Sequence, residues 1–404
     1  MINNQRLLPR VTMIWTRSLD RGPMAGRLRV ARAVREAVRS RAITSEHVMC
    51  DGNGRRGLGW AMAVLANGLR DLPRYGLLPL QCWIYGSEAE VRALIARIDP
   101  DCDVIYLDGV RLLRLLEGLR RRFPDKWIVV DLDDLMSRRM RALLALREPL
   151  VPGYLGARLP APLRRLAGGI AGRLVARFEA LTLPRAEARI CELADAVVLL
   201  SPSDLAELPA GGRARRVAIT PTVSHRPHAS ARLKPGPIRC IFIGSDALTQ
   251  NRLTIDFLLD VWRRFELPLD LVLFGQQERL LSLPPRVRLE GYVESLDEVY
   301  DGRSVLITPS FLRGGIKTKV LEAMSYGTPV IGNSTSFEGV PISGYPLQVE
   351  GEEALVSLLR DLGSKRAVLE AAARIGLDHV REHHGAQRFA RDWSNVLCLP
   401  AEKS

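Results

Sequence analysis

The run RGGIKTKVLEAMSYGTPVI, from Arg313 to Ile331, brings together the groups needed to hold a diphosphate and a sugar. Gly314 and Gly315 lack a Cβ, so backbone N–H groups there can approach a ligand closely. Gly315, Ile316 and Lys317 can donate from the main chain, and Thr318 can add a hydroxyl. Arg313, Lys317 and Lys319 put positive charge where a helix is expected to begin, and a helix N-terminus itself favours anions. Glu322 follows within the first turns. An ionised carboxylate only accepts hydrogen bonds, which suits paired sugar hydroxyls. Gly327 stops the helix, and Thr328-Pro329 leads into a buried strand at Val330-Ile331. An ordinary βα unit is the competing reading of the local pattern, because Gly-Gly before a helix is common.

A second group of chemical residues lies in WIVVDLDDLMSRRMR (127–141). A strand is expected to end at Asp131, leaving Asp133 and Asp134 at its C-terminal edge, where open α/β sheets bind ligands. An aspartate there can act as a base toward a ligand hydroxyl, given suitable geometry. Capping of the following helix is the alternative role. Asp108 ends the strand VIYLD and is a further candidate for the same edge.

The elements that must position these residues alternate along the chain. Strands are expected at Val11–Thr16, Leu80–Tyr85, Val104–Leu107, Trp127–Asp131, Ala196–Ser201 and Val217–Thr220, with helical patterns such as Gly26–Arg41 and Ser87–Ile98 between them. Such alternation predicts an α/β fold with parallel sheets. SHRPHASARLKPGP (224–237) is polar and proline-bearing and reads as an interdomain linker. After it IRCIFIG restarts the alternation, giving domains over 1–223 and 238–382. A final amphipathic helix, over 383–404, carries Phe389, Trp393 and Val396 at helical spacing.

Bulk properties narrow the classes. A length of 404 residues predicts two or three domains, and 47% apolar with 25% charged residues is a globular composition. No apolar run reaches the ~18 residues of a membrane span, and the N-terminus shows no signal-peptide pattern. The six cysteines show no C-x-x-C spacing, which argues against zinc or a disulfide framework and for a reducing, cytoplasmic setting. The net charge is +13; residues 1–225 hold 36 Lys and Arg against 23 Asp and Glu, and the remainder holds 22 of each. The excess is almost all arginine. It points to an anionic partner, such as a lipid surface or lipid diphosphate, or else to base composition. No aromatic–basic platform supports nucleic acid as that partner. The segment 159–183 interleaves apolar residues with Arg164, Arg165, Arg173 and Arg177, as an interfacial helix on anionic lipid would, although core packing also explains its stripe.

The order of motifs in the second half resembles nucleotide-sugar glycosyltransferases of the GT-B fold, of the large family-4 (group 1) type. RGGIKTKVLEAMSYGTPVI is similar to that family's C-terminal signature. IRCIFIGSDALTQNRLTIDFLLDVW (238–262) resembles the opening strand, loop and helix of its second domain, and LDLVLFGQ (269–276) and VRLEGYVESLDEVYDGRSVLITPS (287–310) resemble its next strands. The resemblance runs from about residue 238 to 350 and is weak in the first half. It implies two Rossmann-like domains across a cleft, a C-terminal helix crossing back to the first domain, and transfer of a glycosyl group to a hydroxyl without metal or other cofactor.

It also implies roles for residues. Glu322 would hold the ribose hydroxyls. Gly244, Ser245 and Arg252 lie in the first loop of the second domain, where relatives often place an Arg and a Lys for the diphosphate; only Arg252 is basic here, so Arg313 or Lys319 would take over. Gly275, Tyr292 and Val293 would border the base. Many relatives carry a sugar-binding glutamate eight residues before the ribose acid, and this chain has Gly314 there, as in Gly-Gly subgroups. Asp133 stands where many relatives place a histidine facing the anomeric carbon. Asp131-Leu132-Asp133 formally matches the metal-binding D-x-D of the other large glycosyltransferase fold, but the second-half motifs favour GT-B. Arg21, Gly22, Gly26 and Arg27 would belong to a loop closing over an anionic acceptor. The implied partners are a nucleotide sugar and a lipid-linked glycan acceptor at the inner face of the cytoplasmic membrane. A GT-B-like epimerase or phosphorylase, a catalytically inactive scaffold and a nucleic-acid-binding protein are the alternatives.

Overall fold

The computed structural model describes residues 8–20, 26–49, 58–146, 170–223, 231 and 233–400. The chain divides into two units, residues 1–220 with 389–404, and residues 221–388. Most of the expected linker, 224–230 and 232, lies outside the described residues, as do Arg21, Gly22, Arg164 and Arg165.

The first unit is built on a six-stranded sheet of β1 Arg10–Trp15, β2 Ile43–Val48, β3 Val104–Asp108, β4 Trp127–Asp133, β5 Ala196–Leu199 and β6 Arg215–Ala218. Its order is β2-β1-β3-β4-β5-β6, and every pair is parallel. The central strands are mainly apolar up to the acids at their C-terminal ends, because helices cover both faces. Successive residues alternate between two cores, as a period of two requires. Ile105, Leu107, Ile128 and Val130 enter one, and Val104, Tyr106 and Val129 enter the other. The second core also takes up Phe389, Trp393 and Val396 of the helix Ala386–Val396. Trp393 sits 5.7 Å from the Tyr106 ring, and the Trp127 Nε1–H donates to the Val396 carbonyl at 2.9 Å.

Two elements differ from the sequence expectations. Leu80–Tyr85 is not a strand: Leu80–Ile84 forms a short helix after Pro79. The Glu179 carboxylate accepts from both the backbone N–H and the side-chain amide of Gln81, at 3.1 Å each, which fixes this run against the helix Ile170–Leu193. Short apolar runs carry too few residues for periodicity to tell strand from helix. Conversely ITSEHV, too polar to read as a strand, is the sheet-edge strand β2, half exposed along its length.

The second unit holds β7 Arg239–Ile243, β8 Leu271–Phe274, β9 Val287–Gly291, β10 Ser304–Ile307 and β11 Val330–Ile331, in the parallel order β11-β10-β7-β8-β9. One core packs both faces of this sheet, with Phe242, Leu258, Trp262, Leu273, Leu306 and Leu321 among its members. Among the described residues no helix is long and apolar enough to cross a membrane.

Candidate active site

In the second unit the loops leaving the C-terminal strand ends converge. Gly244, Gly275 and Gly291 end β7, β8 and β9, each with positive φ (156°, 108° and 72°). Gly275 lies so close to its neighbour that a Cβ would come within 2.9 Å of the Gly244 backbone. The Gly244 N–H donates to Phe274 O at 2.9 Å and the Gly275 N–H to Gly291 O at 2.6 Å, so the three loops stack edge to edge. Gln277 clamps them, donating to the Gly244 and Gly275 carbonyls at 3.0 and 2.9 Å. Buried Asp246 accepts from the Glu278 and Arg279 backbone and from the Arg279 guanidinium. Ser245 and Val293 are half-buried in this rim, while Tyr292 is exposed.

The Gly-Gly loop approaches the same rim from β10. Gly314 and Gly315 both adopt positive φ (102° and 64°), which a side chain would strain. The helix Thr318–Ser325 starts immediately after it, with Lys317 at its N-cap. Lys317 is buried, and its ammonium donates to Gly314 O at 2.9 Å, folding the loop over the helix start. Lys319 reaches inward: its ammonium donates to Asn251 Oδ1 at 2.8 Å and lies 4.1 Å from the Phe242 ring centroid. Asn251 in turn donates to Ser245 O at 2.9 Å, tying this cation to the first loop. Burial, and then the neighbouring Lys317 charge, pull the Lys319 pKa down to about 7. Such a cation gains from an incoming anion. Glu322 is buried on the second turn of the same helix. Thr318 and Arg252 are half-buried nearby in sequence to these groups, and Arg313 is exposed. Of the cations expected to replace a missing first-loop base, Lys319 is the one the structure joins to that loop, through Asn251.

In the first unit, Asp108, Asp131 and Asp133 gather around one guanidinium. Arg27, in the first turn of the helix Gly26–Arg39, contacts Asp108, reaches Asp131 at 3.1 Å and pairs with Asp133 at 3.2 Å. Burial pulls the Arg27 pKa down, but the three carboxylates more than reverse this and hold it well above its usual value. Asp108 also accepts from the Thr16 N–H and hydroxyl at 3.2 and 2.7 Å. Against the penalty of burial, Arg27, Arg17 and Thr16 hold Asp108 well below the usual carboxylate range. Asp131 accepts from the Tyr106 hydroxyl at 2.7 Å, and its pKa is raised, chiefly by burial.

This arrangement bears on two expectations. Arg27, expected in a loop closing over an anionic acceptor, is paired with three carboxylates of its own unit. Gly26 opens the helix that carries it. Asp108 is committed to Thr16 and Arg27, with a side chain 1% exposed. Asp134 is likewise buried and ion-paired with Arg139, its pKa raised mainly by burial. Asp133 differs: its side chain is 25% exposed. Its φ is +68°, and the β4–β5 register shifts between Asp131 and Asp133. A bulge of this kind re-aims a side chain at the end of a strand. Aspartate tolerates that left-handed backbone better than most residues.

Residues without a recognisable sequence signal also shape the second-unit site. Gln277, Asn333, Ser336 and Glu338 tie one loop to another. No motif spacing marks them, because these partners lie 23 to 33 positions away in the chain.

Residues 237–373 match the family described as glycosyl transferases group 1. No curated protein sequence matches the chain. Among solved structures, sucrose-phosphate synthase from Thermosynechococcus elongatus is 16% identical, with 96% of this chain and 98% of that chain covered and a TM-score of 0.64. Anabaena HepE, solved in complex with UDP and glucose, is 13% identical over 96% of this chain and 99% of its own, with a TM-score of 0.58. The lipopolysaccharide outer core galactosyltransferase WaaB is 11% identical over 96% and 99%, with a TM-score of 0.55. The chain has the GT-B fold, and its residues 237–373 match the group 1 glycosyltransferase family.

Proposed function

We propose that this protein moves a sugar from a nucleoside-diphosphate sugar to a hydroxyl of a lipid-linked glycan, in polysaccharide or glycoconjugate assembly. The observation that carries the donor assignment is the cluster at one helix start: Gly-Gly backbone, Lys317, Lys319 with Asn251, and Glu322 four residues into the helix. The bond from the anomeric carbon to the diphosphate breaks with its electron pair leaving on the phosphate oxygen. A bond to the acceptor oxygen forms, and the acceptor proton goes to a base, for which Asp133 is more exposed than Asp108, Asp131 and Asp134 beside it. Lysine ammonium and N–H groups aimed at the leaving diphosphate stabilise the developing charge, so the transfer is proposed to need no metal. HepE binds UDP and UDP-glucose, which supports a donor of this class.

The test is calorimetric titration with UDP-, GDP-, ADP- and dTDP-sugars, followed by product analysis with the donor that binds. At least one should bind, with proton uptake. A diphosphate raises the Lys319 pKa from about 7. Affinity is therefore greatest when Lys319 is already protonated and falls as pH rises, roughly tenfold between pH 7 and 9. Lys319→Met should flatten that dependence. Failure of all four donor classes to bind would sink the reading.

The acceptor half rests on an apolar, arginine-bearing surface of the first unit. The helix Leu58–Tyr75 exposes Met62, Leu65, Leu69 and Leu72 on one side, and the helix Ile170–Leu193 exposes Ile170, Leu174 and Leu181. Trp83 links them, packing under Gly68 of the first helix and 5.5 Å from Phe178 of the second. Arg70 and Arg177 are exposed beside these residues. Arg173, counted above among the flanking cations, instead donates to the Leu144 and Leu146 carbonyls at a helix end. Apolar side chains flanked by arginine suit an anionic lipid surface. The protein should sediment with phosphatidylglycerol vesicles at low salt and be released by salt, and Leu65→Glu with Leu69→Glu should weaken sedimentation at least about tenfold. Equal recovery of wild type in the supernatant with and without vesicles would refute membrane association.

A further inference from the structure

Position 314 has no side chain, yet a carboxylate stands at its backbone. The Gly314 N–H donates to Glu338 Oε2 at 2.8 Å. Glu338 arrives from another segment, the turn that follows β11. That turn is stitched to the loop after β10. The Ser310 N–H donates to Asn333 Oδ1 at 3.0 Å and Ser336 Oγ at 3.1 Å, and Asn333 returns a bond to Ser310 O at 2.9 Å. Ser336 Oγ also donates to Thr308 O at 2.6 Å. Gly332 permits this closeness, since a Cβ there would lie 2.7 Å from Ser336. Phe337 is buried against Tyr345, with ring centroids 5.1 Å apart, and anchors the residue next to Glu338 in the core. Glu338 itself is half-buried. At Gly314 a Cβ would meet nothing within 4 Å, so there is space beside the loop at this point.

We propose that Glu338 holds hydroxyls of the transferred sugar, supplying from the turn after β11 the acid that position 314 lacks. The inference rests on the donor reading above. A carboxylate has about four acceptor directions, so one that accepts from the Gly314 N–H can accept from hydroxyls as well. Its rigid support keeps the carboxylate in place before the sugar arrives, which limits the entropy lost on binding. A site built to accept from hydroxyls discriminates strongly against analogues that lack them. Glu338 therefore sets which sugars are accepted, whereas Glu322 and Lys319 set the nucleotide part.

Glu338→Gln separates this role from a structural one, because the amide oxygen can still accept from Gly314. Affinities for a nucleoside diphosphate and for its nucleotide sugar are measured on wild type, Glu338→Gln and Glu338→Ala. In the Gln variant the diphosphate should bind within about twofold of wild type, while the nucleotide sugar binds about 10- to 100-fold more weakly and kcat/KM falls by a similar factor. The Ala variant should lose at least as much sugar affinity. If Glu338 only braces the loop, both ligands weaken by the same factor, and that result, or no change in either, overturns the proposal. A wild-type protein that binds nucleoside diphosphates but is indifferent to the attached sugar overturns it as well. Only a wild type that binds no nucleoside diphosphate at all removes the donor reading with it.

Discussion

Glu322→Gln is expected to weaken nucleoside-diphosphate binding by about 10- to 100-fold, the range of a charged hydrogen-bond acceptor lost from a desolvated site. The side chain is buried in a helix whose other face packs Val320, Leu321 and Met324 into the core, so its position is set by the fold rather than by the ligand. The isosteric amide leaves the helix intact, and the melting temperature should stay within a few degrees of wild type. The amide keeps one acceptor oxygen and replaces the other with an N–H donor, so it no longer accepts from a pair of hydroxyls. A cycle with 2′-deoxynucleoside diphosphate localises the effect. Wild type should lose affinity for the deoxy ligand, and the variant should lose much less on the same change, because the partner of that hydroxyl is already gone. Equal affinity of variant and wild type for the ribose ligand would remove Glu322 from the site.

The loop proposed to hold the donor was legible because its chemistry is contiguous. Gly314, Gly315, Lys317, Lys319 and Glu322 lie within one loop and the helix it feeds, so spacing along the chain reports spacing in the fold. What spacing does not report is direction. Arg313, Lys317 and Lys319 look equivalent as letters. In the fold Arg313 is exposed, Lys317 closes its own loop, and only Lys319 reaches across to Asn251. Glu338 was invisible for the complementary reason: its partner Gly314 is 24 positions away, and one glutamate in SFEGV has no local signature.

The first unit was legible as an alternation of strands and helices, and its errors are instructive. LQCWIY has the composition of a strand, but Glu179, 98 positions from Gln81, decides its conformation. β2 was missed since an edge strand need not be apolar. The carboxylates Asp108 and Asp133 were found from their places at strand ends. Their division of labour depends on Arg27, which approaches from the first helix, 81 positions from Asp108. The cation expected in a loop closing over an acceptor is paired with the protein's own acids, of which Asp133 is the most exposed.

Arg27→Met should therefore cost about 3–5 kcal/mol of stability at neutral pH, the range seen when one partner of a buried ion pair is removed. Methionine replaces much of the volume, so the loss is electrostatic rather than a cavity. Asp108, Asp131 and Asp133 would then face one another with the distal Arg17, 3.7 Å from Asp108, as the remaining cation near Asp108 among the described contacts. The pH dependence identifies the cause. In wild type Arg27 holds Asp108 below the usual carboxylate range, a contribution present at neutral pH and lost as pH falls. Without Arg27, burial and mutual repulsion raise the aspartate pKa values in the fold above their unfolded values. Stability of the variant is then retained at low pH and lost as pH rises through the raised values. The gap between wild type and variant should accordingly be widest near pH 7 and shrink toward pH 4, as read by urea unfolding at a series of pH values. A gap that stays constant across that range would mean Arg27 contributes packing alone. Asp131→Asn in the Arg27→Met background should recover part of the loss at pH 7, since it removes one of the stranded charges while keeping an acceptor for the Tyr106 hydroxyl.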